Sequence, residues 1–391
     1  MHSLVNHFTA LQKGLKILPS FSRTCAAEYM KLLHFFKNLG YLLLLNGLIK
    51  PVWIFGVDRQ VQNVVGHETY GHYFALLSLT LVLSFFADMG LTQMVNRQVA
   101  AGQQYGGAQL LQVKLGLMGG YFLLVALFAV VTGIHDWYLL FLVACIQALT
   151  SFFVFLRHLV TAHQLFATDA LLSVIDKLLM IAIFLPLLYT SVFAVTVTLP
   201  LFLYLQIGCT VTAISLALFI MIKKRVLQLR NGSKEPAIAF RSVLPFAAII
   251  LLMSAHNRLD GFLLHRLHTN GAYQAGLYAA AYRLLDAGNM IGYLTASFLV
   301  PFIAKHLQQK ALVEATVLSS RLALLLAGGV ATAFVVVFAK EVQTFLYPAL
   351  PQEGVPVLQT CMAVLPAYLL LHVYGSVLTA AAQLKSFISL L

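Results

Sequence analysis

Ten apolar stretches follow one another along this chain with only short breaks, and that succession leaves few architectures open. They cover residues 39–57, 72–90, 109–132, 137–157, 169–189, 193–222, 241–264, 274–303, 314–339 and 358–383. About twenty apolar residues in helical conformation cross the hydrocarbon core of a bilayer, where every backbone polar group must be satisfied within the segment. The pattern predicts an all-α polytopic membrane protein with about ten transmembrane helices. Composition agrees, with 60% hydrophobic and 10% charged residues, against about 25% charged in an ordinary soluble domain. The net charge of +12 would suggest nucleic acid as the partner of a soluble protein. In a membrane protein it has a simpler source, Lys and Arg gathered in cytoplasmic loops, so no nucleic-acid partner is expected.

The basic residues alternate sides. One side collects the N-terminus, Arg97, Arg157, the cluster Lys223, Lys224, Arg225, Arg230, Lys234 and Arg241, then Lys305, Lys310, Arg321 and Lys385. The other holds little beyond Arg59, Arg266 and Lys340. The positive-inside rule then puts both termini in the cytoplasm. Residues 1–38 read as a weakly basic N-terminal extension without the apolar core of a signal peptide, and Met30 offers a second start. The widest break, KKRVLQLRNGSKEPAIAF at 223–240, reads as a basic cytoplasmic linker. It divides the chain into an N-lobe of six helices (39–222) and a C-lobe of four (241–391).

Ionisable residues inside the spans are the functional candidates, because a charge at the bilayer centre costs about 2.5–3.5 kcal/mol on insertion scales and must face protein or water. The run from Tyr273 to Pro301 carries Arg283 and Asp286 well inside it. At about 100° per residue, Tyr278, Tyr282, Asp286, Asn289 and Tyr293 share one arc with Arg283 at its edge, opposite Ala280, Ala281, Leu284 and Ala287. This is a wet, aromatic, charge-bearing face; Arg283 and Asp286, three residues apart, can also neutralise each other. In the first span Asn46, Lys50 and Trp53 share a face, with Pro51 as the source of a kink that aims the ammonium into a central cavity. Arg258 and Asp260 sit towards the outer end of the seventh span and point in different directions. Asp260 or Asp286 is a candidate proton carrier, and Asp88 with Arg97, at the cytoplasmic boundary, reads as either a salt-bridged gate or a plain structural pair. Lys114, Asp176 and Lys177 read as structural groups near an interface, and Gly116 with Gly120 as a close helix-packing face. Four scattered cysteines, Cys25, Cys145, Cys209 and Cys361, suggest neither a disulfide framework nor a zinc site, and His265 with His268 reads as a loop pair, so no metal is expected. There is no Gly-rich phosphate loop and no GxSxG, so no catalytic chemistry is indicated, and energy would come from an H+ or Na+ gradient or the membrane potential.

The run NGLIKPVWIFGVDRQVQNVVGHETYGHYFALLSLTLVLSFFADMGLTQMVNRQVA resembles the N-terminal part of the Wzx-type oligosaccharide flippases, polysaccharide-biosynthesis membrane proteins of the multidrug/oligosaccharidyl-lipid/polysaccharide exporter superfamily. LPFAAIILLMSAHNRLDGFLLHRLHTNGAYQAGLYAAAYRLLDAGNMIGYLTASFLVP is similar to the opening of the family's second bundle, and HVYGSVLTAAAQLK to its tenth helix. The resemblance implies a MATE-like two-lobe bundle in the bacterial inner membrane. Its work would be flipping undecaprenyl-pyrophosphate-linked oligosaccharide repeat units by alternating access, for O-antigen or other surface polysaccharide, beside the polysaccharide polymerase machinery. It further implies that Lys50, Arg258 and Arg283 meet the lipid pyrophosphate and that Trp53, Tyr278 and Tyr282 face sugar rings. Family members commonly have twelve to fourteen spans, so this chain is expected to be two helices short in its second lobe. Three rival readings follow: a MATE-like drug or metabolite antiporter, an inactive truncated flippase, and a membrane-embedded polysaccharide polymerase or ligase.

Overall fold

The structure is a computed structural model that describes residues 40, 44–100, 107–163, 165–189, 197–224, 226 and 240–380. The expected N-terminal extension, most of the 223–240 linker and the side chain of Arg97 lie outside the described residues. Among the described residues the chain is helical throughout and makes ten successive helical passes. In order these are α1 (44–65), α2 (His67–Leu83), a short α3 (Leu91–Ala100), α4 (Gly107–Thr132), α5 (Trp137–Ala162), α6 (Phe166–Tyr189), α7 (Leu199–Lys223), α8 (Phe240–Leu267), α9 (Gly271–His306), α10 (Lys310–Val337), a short α11 (Ala339–Leu346), and a last pass formed by α12 (Gly354–Ala363) and α13 (Leu365–Ala380). All ten coincide with the predicted apolar runs to within a few residues at most ends, and the largest extension is at the end of α1, which continues to residue 65 past the expected limit at 57.

Local chemistry explains the punctuation. Asp136 caps α5 by accepting from the Leu139 N–H at 3.0 Å, and Thr198 caps α7 with Pro200 in the first turn. The ADMG turn after α2 needs its glycine, since Gly90 adopts φ of 79°, and Asp88 caps the next helix through the Thr92 N–H. The last pass breaks at Val364 because Pro366 has no N–H to offer the carbonyl four residues back, Met362. The Thr332 hydroxyl from α10 fills that vacancy at 2.9 Å. In α1 a π-helical stretch, Trp53–Asp58, follows Pro51 directly, so the expected disturbance is a widened turn within a continuous helix.

Seven passes are long and apolar enough to cross a membrane: α2 and its extension to Ala87, α4, α5, α6, α7, α10, and the last pass. The three remaining passes, α1, α8 and α9, carry Lys50 and Asp58, Arg258 and Asp260, and Arg283 and Asp286. Two helices organise the packing. α5 lies against α2, α3, α4, α6 and α7, while α9 lies against α2, α8, α10, α12 and α13, so that α2 joins the two groups.

The α2–α9 contact is backbone on backbone. A Cβ on Gly71 would run into the Ala272 carbonyl and the Gly276 backbone, and one on Gly276 into the His67 carbonyl. Gln62 of α1 donates to the Gly276 carbonyl at 3.0 Å, so three helices meet at one point. The expected packing face, Gly116 and Gly120, is corrected here: nothing lies within 4 Å of a Cβ at either position, and both residues are exposed on the outside of α4. Small-residue spacing marks a face that permits close approach, and only a partner helix of matching shape makes use of it. Replacing Gly276 with Leu should therefore cost at least about 1–3 kcal/mol, the usual penalty of overpacking, and lower the unfolding temperature in detergent. Gly116→Leu should leave that temperature unchanged.

Candidate functional site

A cavity of about 770 Å³ opens between α1, α2, α5, α8, α9 and α13. Its charged groups are Lys50 from α1, Arg157 from α5, Arg258 from α8 and Asp286 from α9, three cations against one carboxylate. Around them stand amides and hydroxyls from Asn46, Ser84, Ser254, Asn257 and Asn289, together with Tyr282, Tyr293 and His372. The residues come from the early part of α1 and the late parts of α2, α5 and α9, so the cavity occupies one end of the bundle.

Each cation is held differently. Arg157 is locked by a two-pronged pair with Asp169, Nε to Oδ1 at 2.8 Å and Nη2 to Oδ2 at 3.2 Å, a geometry that fixes the guanidinium plane. Arg258 donates from Nη2 to Asp286 at 2.9 Å and stacks on the Tyr282 ring at 4.8 Å. Its Nη1 is buried without a hydrogen-bond partner among the described residues. Lys50 has no ion pair among them and lies 5.9 Å from the centre of the Tyr293 ring. Asn46 donates to Ser173 at 2.9 Å, and His372 shares a 2.9 Å hydrogen bond with Asn289. The cavity thus offers two arginines fixed by carboxylates, and a lysine without an ion pair among the described residues, beside a polar, aromatic wall.

The other end is closed by a charge network. Asp58 of α1 and Arg283 of α9 approach to 2.6 Å. The Tyr70 hydroxyl of α2 donates to Asp58 at 2.9 Å and accepts from Arg283 at 3.0 Å. Beyond it, Asn63 donates to the Leu346 carbonyl at 3.1 Å, His72 meets His265 at 3.1 Å, and Arg266 reaches the Thr132 carbonyl.

Residues 35–307, well over half of the chain, match the family model described as polysaccharide biosynthesis protein. The chain belongs to that family. No curated protein matches it. Among solved structures, an outward-facing multidrug-resistance MATE-family transporter of the MOP superfamily is 14% identical with a TM-score of 0.53, over 90% of this chain and 82% of that one. The inward-facing form of a MATE-family transporter gives 15% and 0.54, over 89% and 81%. A MOP-superfamily transporter from Pyrococcus furiosus, described as having a binding pocket of reverse polarity, gives 14% and 0.55, over 90% and 83%. At these identities the likeness establishes the fold, and this polysaccharide biosynthesis family member has the MATE helical bundle.

Within it, the sequence candidates separate. Asn46, Lys50, Arg258, Tyr282, Asp286 and Asn289 line the cavity. Arg283 does not: the expectation that it meets cargo is corrected, because Asp58 and Tyr70 hold it behind the wall. The expected pairing of Arg283 with Asp286 is long, 3.9 Å, since Asp286 turns to Arg258. Trp53 does not line the cavity; it stacks on Phe202, with the Lys177 ammonium 4.9 Å from its ring. Tyr278 and Asp260 bond to each other and border a separate shallow groove on α8.

Asp88 pairs with Lys114 at 2.7 Å. Lys114 is another correction, since it does not reach an interface but is 0% exposed and also donates to Ser151 at 2.9 Å. No group of three or more His, Cys, Asp or Glu among the described residues could hold a metal. Sequence reasoning missed Asp58, Arg157, grouped there with the basic residues of the cytoplasmic side, and His372. The shared face of Asn46 and Lys50 signalled the α1 wall, which Ile54 rather than Trp53 continues. Removing one partner of a buried ion pair costs about 3–5 kcal/mol. Lys114→Met should therefore lower thermal stability in detergent by that order, and adding Asp88→Asn should recover much of the loss.

Proposed function

We propose that this protein moves a lipid-linked oligosaccharide carrying a pyrophosphate from the cytoplasmic to the outer leaflet of a bacterial inner membrane, by alternating access. The observation that carries this reading is the cavity's charge. Three cations face one carboxylate, one guanidinium nitrogen has no partner among the described residues, and Lys50 has no counter-ion among them. A pyrophosphate supplies the missing anion, and charge-assisted hydrogen bonds to Lys50, Arg157 and Arg258 would hold it. The amides of Asn257 and Asn289, with Tyr282, Tyr293 and His372, suit sugar hydroxyls and ring faces. The open end shares its side with Lys223 and Lys224, the start of the basic cluster, so the positive-inside rule turns the cavity towards the cytoplasm. An H+ or Na+ gradient or the membrane potential would drive the cycle. Polymerase machinery acting on the released repeat unit is the natural neighbour.

The test is transport by the purified protein in proteoliposomes, with a fluorescent undecaprenyl-pyrophosphate saccharide as cargo. Lys50→Ala and Arg258→Ala should each weaken cargo binding about tenfold or more, the loss expected for a hydrogen bond to a charged group. Lys50→Arg should retain most of it. Efflux of cationic dyes with no movement of the saccharide lipid would replace this reading with that of a MATE-like antiporter.

A further inference from the structure

Behind the cavity wall, four charges alternate in sign across three helices. Arg258 of α8 binds Asp286 of α9 at 2.9 Å. The same Asp286 oxygen lies 3.9 Å from Arg283, one turn back on α9. Arg283 in turn is 2.6 Å from Asp58 of α1. Exposure falls along the row, from 22% for the Arg258 and Asp286 side chains to 14% for Arg283 and 4% for Asp58. Only Arg258 and Asp286 line the cavity.

We infer that this row is a trigger by which an anionic cargo, a pyrophosphate on the reading above on which this inference rests, loosens the closed end of the transporter. An anion on Arg258 competes with the Asp286 carboxylate for the guanidinium and repels it. Asp286 has one other cation within reach, Arg283, and the gap to be closed is the difference between 3.9 Å and contact. Arg283 then divides its charge between two carboxylates and holds Asp58 less strongly. Asp58–Arg283 is the ion pair that ties α1 to α9 at the closed end, next to the Gln62–Gly276 hydrogen bond and one turn from the Asn63–Leu346 contact. Cargo arrival at one end thereby favours opening at the other, with no direct contact between cargo and gate. Asp286 is the positioning residue, since it faces both the cation that meets the cargo and the cation that holds the gate. The row also accounts for a carboxylate in a cavity suited to an anion, where a carboxylate alone opposes binding.

The test uses the full chain with its four cysteines replaced by alanine and a reporter pair, Asn63→Cys and Leu346→Cys, across the closed end. Inorganic pyrophosphate is the probe, at concentrations that saturate each protein by calorimetry, and the readout is the rate of thiol cross-linking. In the parent, pyrophosphate should lower that rate about fivefold, a typical coupling between two sites. Asp286→Asn should abolish the response, Asp286→Glu should restore it, and Asp58→Asn should cross-link slowly with or without pyrophosphate. Asp286→Asn responding as the parent does overturns the trigger, as does a parent that binds pyrophosphate with no change in cross-linking. Failure of the parent to bind pyrophosphate at all overturns the proposed function and the trigger together.

Discussion

The ion pair between Asp58 and Arg283, steadied by Tyr70, joins helices that are far apart in the chain and is largely buried. Either charge alone in hydrocarbon is costly, and removing one partner of such a pair leaves the other uncompensated. α1, α2 and α9 are therefore bound to meet where these residues lie. The glycine contact beside it lets α2 and α9 approach at backbone distance, which brings the pair within reach. Packing and electrostatics select the same arrangement, and neither alone would specify it.

From this joint follows the asymmetry of the molecule. At one end Gly71, Gly276, Gln62 and Tyr70 draw the helices together; towards the other, α8 and α9 diverge from α1 and α5 around the cavity. The charged residues of the three polar passes are consequently sorted into two sets. Arg258 and Asp286 border the cavity, and Arg283 and Asp58 lie behind it. A cavity open at one end and a polar joint closing the other is the asymmetry of a membrane transporter with the MATE fold, in a chain that belongs to the polysaccharide biosynthesis family.

Helix number and approximate limits were legible because hydrophobic runs of spanning length have few other uses; Asp88, Asp136 and Thr198, which cap helices in the structure, were not read as end signals. The wet face of α9 was legible too: Tyr282, Asp286, Asn289 and Tyr293 share an arc and do line the cavity. Periodicity failed at Trp53 because its ring finds a stacking partner in Phe202 beside the cavity arc, and at Tyr278 because a helical arc runs the full length of α9 while the cavity occupies only part of it. Lys114 was misread since depth along a helix does not reveal whether a partner waits on the neighbouring one, here Asp88 and Ser151.

That the chain is a membrane protein of about ten helical passes, and that ionisable residues within several of them need shelter from lipid, was legible without coordinates. Both conclusions follow from local quantities, the length of apolar runs and the cost of burying charge. Which charge meets which partner was decided by the tertiary structure alone. Ion pairs such as Asp58 with Arg283 and Arg258 with Asp286 depend on how helices are rotated and how closely they approach, and those are properties of the assembled bundle.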